Sequence, residues 1–399
     1  MAPPPRSPPA LMDELVEEIT LRFPPDEPER LFRAALACKR WRRILSDPGF
    51  RRRYREFHRS PPMLGFLCRR AGAAVFTPTT SLRLPSADLS IPNLIRMDAR
   101  HGRVLFYALS SPGSRSITVL VVWNPFTGEE RRLDTPTIPI SWASSSAAFL
   151  CTAAGCSHLD CPRGGPFSVV LVATDASFGS TTSARVFSSE TGAWRSAASI
   201  GHSLNCVLPG RSYLIRNTLY FISLPSLWIL EYDLGRQELS LIDPPSVSIT
   251  GWAAVIKVEN GRLGFAIVQE SKLSIWAWEN DGNVWAQHRV IQLQGCSLPV
   301  CSLSSPYRIA ALAEDGACLI CWNSGSGVFS IDLNLGWATK IATLSDVSFV
   351  IPYMCFYTPV EAFLIQVFSA ALGAPSPVKG QELGSQMLDK VAGTRQQAS

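Results

Sequence analysis

The chain has 399 residues, 46% hydrophobic and 17% charged, with a net charge of +5, which predicts about two domains, one of them large. Eleven cysteines behind a Pro-rich rather than an apolar start (Met1-Ala2-Pro3-Pro4-Pro5) exclude a disulfide-stapled secreted scaffold and predict reduced thiols in the cytoplasm or the nucleus. The charge is uneven: residues 1–70 hold 15 Lys and Arg against 9 Asp and Glu, leaving the remainder near neutrality, so a nucleic-acid reader would have to lie at the front of the chain.

Residues 1–9 read as a disordered Pro-rich tail. In the next segment Leu11, Leu15 and Ile19 recur every four residues with Val16 alongside, while Asp13, Glu14, Glu17 and Glu18 fall opposite; this is one apolar face of a helix. Pro24 and Pro25 stop it. Asp26 and Glu29 have capping-box spacing, and Pro28 is tolerated in a first turn. From Leu31 the helical spacing of Leu31, Ala34, Ala35, Cys38, Trp41 and Leu45 predicts a second helix. Ser46 or Asp47 before Pro48 starts a third, with Phe50, Tyr54 and Phe57 on one face. Three short helices in about 50 residues are marginal without a partner, metal or disulfide, and with no metal-ligand set here a partner is expected. Arg40, Arg42, Arg43, Arg51, Arg52, Arg53 and Arg55 could bind nucleic acid, but they are interleaved with the core-facing Trp41, Phe50 and Tyr54, the pattern of a solvated helix face.

The motif Cys38-Lys39-Arg40-Trp41 and the closing Ser46-Asp47-Pro48-Gly49-Phe50 resemble the F-box, with Leu11-Met12 where the family has Leu-Pro. The resemblance assigns residues 10–59 to an F-box. It implies a Skp-type adaptor as partner, a cullin beyond it, and adaptor-binding positions at Leu11, Leu15, Ile19, Leu31, Cys38, Trp41, Leu45 and Phe50.

From residue 60 to 369 the helical period gives way to short apolar runs separated by Gly, Asn, Asp, Ser and Pro. They include Val104–Ala108, Ile117–Trp123, Ser168–Ala173, Ser183–Phe187, Thr218–Ser223, Leu227–Tyr232, Leu263–Val268, Leu273–Trp278, Cys318–Trp322 and Gly327–Ile331, which argue for an all-β domain. A two-part unit returns. A turn leads into an apolar strand, as at His101-Gly102, Arg216-Asn217, Asn260-Gly261 and Asp315-Gly316. Further on, a polar turn is followed by a strand that often begins with an aromatic. Thr127, Thr191, Leu234, Asp281 and Leu335 in this second part are 64, 43, 47 and 54 residues apart. That period predicts propeller blades, about six or seven of them. The run Leu120–Gly128 with Arg132-Leu133-Asp134-Thr135-Pro136 resembles the opening blade of plant F-box-associated, kelch-like propellers. The predicted fold class is therefore α+β multidomain: a three-helix F-box, then an all-β propeller. Pro352, Pro359 and Glu361 interrupt the apolar stretch Phe349–Ala374, which predicts final strands rather than a membrane span. Residues 370–399 read as a disordered tail.

No catalytic constellation stands out. The five histidines are scattered, and there is no phosphate loop, Gly-x-Ser-x-Gly elbow or His-Glu-x-x-His. Cys151, Cys156, His158 and Cys161 could surround a zinc ion, but their spacing fits no common finger and they sit in a long inter-strand insertion, so neither metal nor cofactor is assigned. The segments Ser141–Pro166 and Gly295–Tyr307 are candidates for touching a target protein. The expectation is a non-catalytic substrate receptor of a Skp-cullin-F-box ubiquitin ligase. Competing expectations are a propeller enzyme, glycan-acting or oxidase-like, which needs clustered carboxylates or metal ligands near the axis, and a nucleic-acid binder using the arginines.

Overall fold

The computed structural model describes residues 11–70, 73–80, 88–89, 94–109, 117–125, 127–136, 144–156, 158, 161, 164–175, 181–201, 205–210, 212–246, 253–269, 272–279, 283–292, 294–295, 308–312, 318–323, 327–333, 335–343 and 350–356. The two terminal tails, most of the Gly295–Tyr307 segment and the part of Phe349–Ala374 beyond residue 356 lie outside them. Among the described residues no helix is long and apolar enough to cross a membrane.

Four helices open the chain: α1 (Asp13–Leu21), α2 (Pro28–Ala37), α3 (Lys39–Ser46) and α4 (Pro48–His58). The expected second helix is two, because Cys38 adopts an extended conformation (φ −160°, ψ 162°) and caps α3, its Sγ accepting from the Trp41 amide at 3.4 Å. Asp47 caps α4 through the amides of Gly49 and Phe50, at 2.8 and 3.2 Å, with Pro48 in the first helical position where a missing N–H costs nothing. Glu27, not Asp26, precedes α2, and its carboxylate turns to Arg30 rather than to the backbone.

Leu31, Ala34, Ala35, Leu45, Phe50 and Tyr54 form the helical core, with Trp41 packed at its edge. Phe356, from the far end of the chain, completes it, and Phe32 reaches the other way to pack against the first interface of the β domain. The shortage of apolar surface expected of so small a unit is thus met in part from within the chain. Phe57, expected on the buried face of α4, is exposed.

The strands follow in chain order. β1 (Met63–Arg70), β2 (Ala73–Pro78) and β3 (Asp88–Leu89) come first, then β4 (Leu94–Arg100), β5 (Arg103–Leu109), β6 (Ile117–Trp123) and β7 (Glu130–Asp134). β8 (Ser145–Cys151), β9 (Phe167–Asp175), β10 (Thr181–Ser188) and β11 (Ala193–Gly201) make a third group. A fourth has β12 (Cys206–Val207), β13 (Tyr213–Ile215), β14 (Thr218–Leu224), β15 (Ile229–Asp233) and β16 (Glu238–Ile242). The last groups are β17 (Ala253–Val258), β18 (Arg262–Gln269), β19 (Lys272–Glu279) and β20 (Val284–Gln292), then β21 (Gln294–Gly295), β22 (Arg308–Leu312), β23 (Cys318–Asn323), β24 (Gly327–Asp332) and β25 (Trp337–Ala342). The final strand is β26 (Val350–Met354).

They form six sheets in a propeller-like arrangement. Five are blades built from one continuous stretch each. The sixth joins the two ends of the domain: β26 pairs antiparallel with β1, Leu67 opposite Ile351. The inner strands follow one another round the axis, β26 beside β4, β4 beside β8, β8 beside β12, β17 beside β22, and β22 beside β26. An apolar cluster fills each of the six interfaces, from Leu64, Val104 and Trp123 between the first two sheets to Phe66 and Val328 between the last and the first. A blade cannot cover both of its faces alone, and closure leaves no face unpacked.

The repeat read in the sequence is a structural one. Nine of the ten predicted runs fall wholly on strands, and the tenth, Leu227–Tyr232, enters β15 at Ile229. The polar turn of the second part links the third and fourth strands of each blade. The amides of Gly128, Gly192, Gln237 and Gly336 each donate to the carbonyl four residues back, on Asn124, Ser188, Asp233 and Asp332, at 2.8–2.9 Å, and the donor residue has positive φ, 61–72°, which explains the glycines at three of the four positions. The aromatic that follows ties blades together: Trp194 Nε1 donates to the Asp134 carbonyl at 2.6 Å and Trp285 Nε1 to the Asp243 carbonyl at 2.7 Å, each on the preceding blade.

Candidate functional site

Helix α1 divides its apolar side chains between the inside and the outside of the module. Val16 and Thr20 are buried, and the acidic residues beside them turn inward to arginines. Asp13 meets Arg40 Nε at 2.5 Å and Arg43 at 3.5 Å, and Glu17 pairs with Arg53. Leu11, Met12, Leu15 and Ile19 are consequently left 43–61% exposed along one side, a row of apolar side chains at helical spacing facing away from the module. Ion pairs at such half-exposed positions contribute little stability each, but two acids and three arginines together fix which way the helix faces.

The eight positions singled out in the sequence divide accordingly. Leu11, Leu15, Ile19 and Cys38 are exposed; Leu31, Leu45 and Phe50 are core; Trp41 is half-buried at the edge. Leu36 on α2, not singled out, is also exposed. Of the arginines weighed for nucleic acid, Arg40, Arg43 and Arg53 hold α1, and Arg52 faces Glu56 at 3.8 Å.

A second constellation lies on the ring. In three blades the first two strands are joined by two or three residues, His101-Gly102, Arg216-Asn217 and Glu259–Gly261; between β8 and β9 the same position carries residues 152–166. Cys151 closes β8, and Cys156, His158 and Cys161 follow in the connection. Their ligand atoms all lie within 4.8 Å of one another. Cys156 Sγ is 3.7 Å from Cys161 Sγ, and Cys161 Sγ is 3.7 Å from His158 Nδ1. Burial, and then the Cys151 and Cys156 thiols beside it, push the Cys161 thiol well above its ordinary range. The His158 ring packs against His101, centroids 4.9 Å apart. The adjoining Gly102 carbonyl accepts from Tyr353 on β26 at 2.9 Å, so this connection shares the face of the ring on which Phe356 meets the helices.

Near the axis, a buried network spans three blades. Asp98 on β4 accepts from the amides of Ala99 and, on β8, Phe149, at 3.0 and 3.1 Å. Arg100 Nε lies 3.3 Å from Asp98 and its guanidinium reaches Ser212 two blades on. A cleft of about 800 Å³ lies instead between β16 and β20, lined by Pro244, Pro245, Trp276, Trp278 and Trp285. Two carboxylates line it, Asp243 and Glu231, and Glu231 already accepts from Tyr220 and Ser240.

No protein-family model matches this sequence, and no curated protein matches it. Solved structures similar in fold include a chain of a nidogen–laminin complex, 11% identical, covering 72% of this chain and 92% of that one at a TM-score of 0.41. A protein from Lactobacillus plantarum is 14% identical over 70% of this chain and 82% of its own, TM-score 0.42. A structure described as a candidate 6-phosphogluconolactonase from Bacteroides uniformis is 12% identical over 61% and 67%, TM-score 0.38. No activity or partner is carried over from such distant likenesses.

Proposed function

We propose that the helical module is an F-box that docks on a Skp-type adaptor, and that the propeller-like ring presents a protein target for ubiquitin transfer within a cullin-based ligase in the cytoplasm or nucleus. The observation that carries this reading is the outward row Leu11, Met12, Leu15 and Ile19 on a helix whose Asp13 and Glu17 are held to arginines of the module. A helix placed for its own stability alone would turn that row into the core, since each large apolar side chain left in water forgoes about 1.5–3 kcal/mol. The chain then acts by proximity: it raises the local concentration of target lysines near a conjugating enzyme bound elsewhere, with no active site of its own. The buried, fully partnered Asp98 and the pairing of the α1-facing arginines favour this over the enzyme and nucleic-acid alternatives.

Co-expression of the full-length chain with a Skp-type adaptor tests it. The pair should co-elute in gel filtration, and Leu15→Arg with Ile19→Arg should weaken the complex by roughly 30-fold or more, the effect of losing a central hot spot. Failure of the unaltered chain to retain the adaptor, or equal retention by the double variant, overturns the proposal.

A further inference from the structure

We infer that the connection between β8 and β9 is a zinc site, with the metal held by the thiolates of Cys151, Cys156 and Cys161 and by Nδ1 of His158. The residues are of the types that close a structural zinc centre, three thiolates and one imidazole, with no position left for water or substrate.

The geometry is close to that of the loaded site. Bond lengths of about 2.3 Å to sulfur and 2.05 Å to nitrogen place tetrahedral ligand atoms about 3.8 Å apart for two sulfurs and about 3.6 Å apart for sulfur and nitrogen. The Cys156–Cys161 and Cys161–His158 separations, both 3.7 Å, are already those edges. No separation in the quartet exceeds 4.8 Å, and the three thiols are half-buried rather than locked in a core, so rotation about their χ angles closes the rest. A disulfide is a poorer account of the cluster. Its sulfurs sit about 2.05 Å apart, it would use two of the thiols, and it would leave the third thiol and the imidazole converging on nothing.

The position in the fold supplies a reason for a metal. Where three other blades turn in two or three residues, this one carries residues 152–166, of which the described ones are exposed or only half-buried. A connection of that length contributes little apolar surface to pay for its own order. A four-ligand centre anchored at the last residue of β8 would fix it on the face of the ring that carries the helices. On binding, the three thiols release their protons to solvent and the imidazole binds as the neutral ring.

The test uses the full-length chain without a histidine tag, produced with zinc in the medium and exchanged into chelator-treated, reducing buffer. Elemental analysis should find about one zinc per chain, falling at least about tenfold in Cys156→Ser with Cys161→Ser. Cys206→Ser, a thiol outside the connection, should leave the content unchanged. His158→Cys offers four thiolates and should also retain the metal, which separates loss of a ligand from loss of the fold. Replacing zinc with Co²⁺ should produce thiolate-to-metal charge-transfer and tetrahedral visible bands that the double variant lacks. A fully reduced wild-type chain with less than about a tenth of an equivalent of zinc overturns the inference. So does a Cys156–Cys161 disulfide persisting in that buffer, or a double variant that binds as much metal as the wild type. None of these results depends on whether an adaptor binds, so the inference and the function proposed above fail separately.

Discussion

The ring and the helical module solve the same problem in opposite ways. In the ring, among the described residues, an apolar cluster fills each of the six interfaces, and the sheet that closes the circle pairs the two ends of the domain, β26 on β1. The module covers its inner side with help from Phe356 and leaves a row of large apolar side chains outside. A periodic apolar stripe therefore marks the interior in one part of the molecule and an unused surface in the other. What distinguishes the two is where the charges go. The polar residues of the outer strands, such as Glu130, Arg131 and Arg132 on β7, face water, whereas Asp13 and Glu17 of α1 are turned toward arginines of the module.

The ring should be the more sensitive region, and its most costly single site is Asp98. Its side chain is fully buried and holds Arg100 together with two backbone amides across a blade interface. Asp98→Ala leaves the Phe149 amide without its acceptor and takes away the carboxylate facing the Arg100 guanidinium, which still donates to Ser212, and should cost about 3–5 kcal/mol in denaturant unfolding. Asp98→Asn keeps the shape and one acceptor oxygen and should cost less. A loss under about 1 kcal/mol for the alanine variant would show that the axis tolerates loss of the carboxylate and that packing alone holds the blades.

The junction between the regions should come next. Phe356 is buried in the helical core although it follows the last strand of the ring. Phe356→Ala should cost about 3 kcal/mol, at the lower end of large aromatic truncations because the module can relax into the space. The diagnostic is where the chain becomes labile. Limited trypsin digestion should speed up at Arg55 and Arg59, beside the junction, while the blades stay protected. Uniform protection would mean that the helices hold together without the ring.

Strands were legible from their runs because β-branched and aromatic residues punctuated by turn formers have few other solutions. The blade period was legible because the turn between the third and fourth strands needs a residue of positive φ at a fixed place, which Gly128, Gly192 and Gly336 supply. Other features were less legible. The break at Cys38 was hidden because the apolar spacing runs through it unaltered; the signal was a small side chain able to cap at the start of Lys39-Arg40-Trp41. The cluster of Cys151, Cys156, His158 and Cys161 was visible as a group of ligand types in an insertion, but it stayed unassigned because no common finger has that spacing; its convergence and its place at the corner between β8 and β9 come from the fold. The direction in which α1 faces was not legible, for a physical reason. Hydrophobic periodicity fixes that a stripe exists, and the partner that covers it is decided by ion pairs 27 to 36 residues away in sequence.

The smallest expected effect is the sharpest test of the comparison. Leu15 and Ile19 are nearly half exposed, so replacing both with arginine should change the unfolding free energy by no more than about 0.5 kcal/mol, as for surface substitutions clear of packing and pairing. The same swap made at Leu31 and Leu45, both buried, places two unpaired charges in the helical core and should unfold the module. Circular dichroism at the helical minimum, followed through a denaturant titration, reads both. If the Leu15 and Ile19 variant loses helix as the Leu31 and Leu45 variant does, the outer row is part of the core after all, and no adaptor is needed to explain why it is apolar. If its curve overlays the wild type, those side chains do nothing for the isolated chain, and their chemistry has to be accounted for by something that binds there.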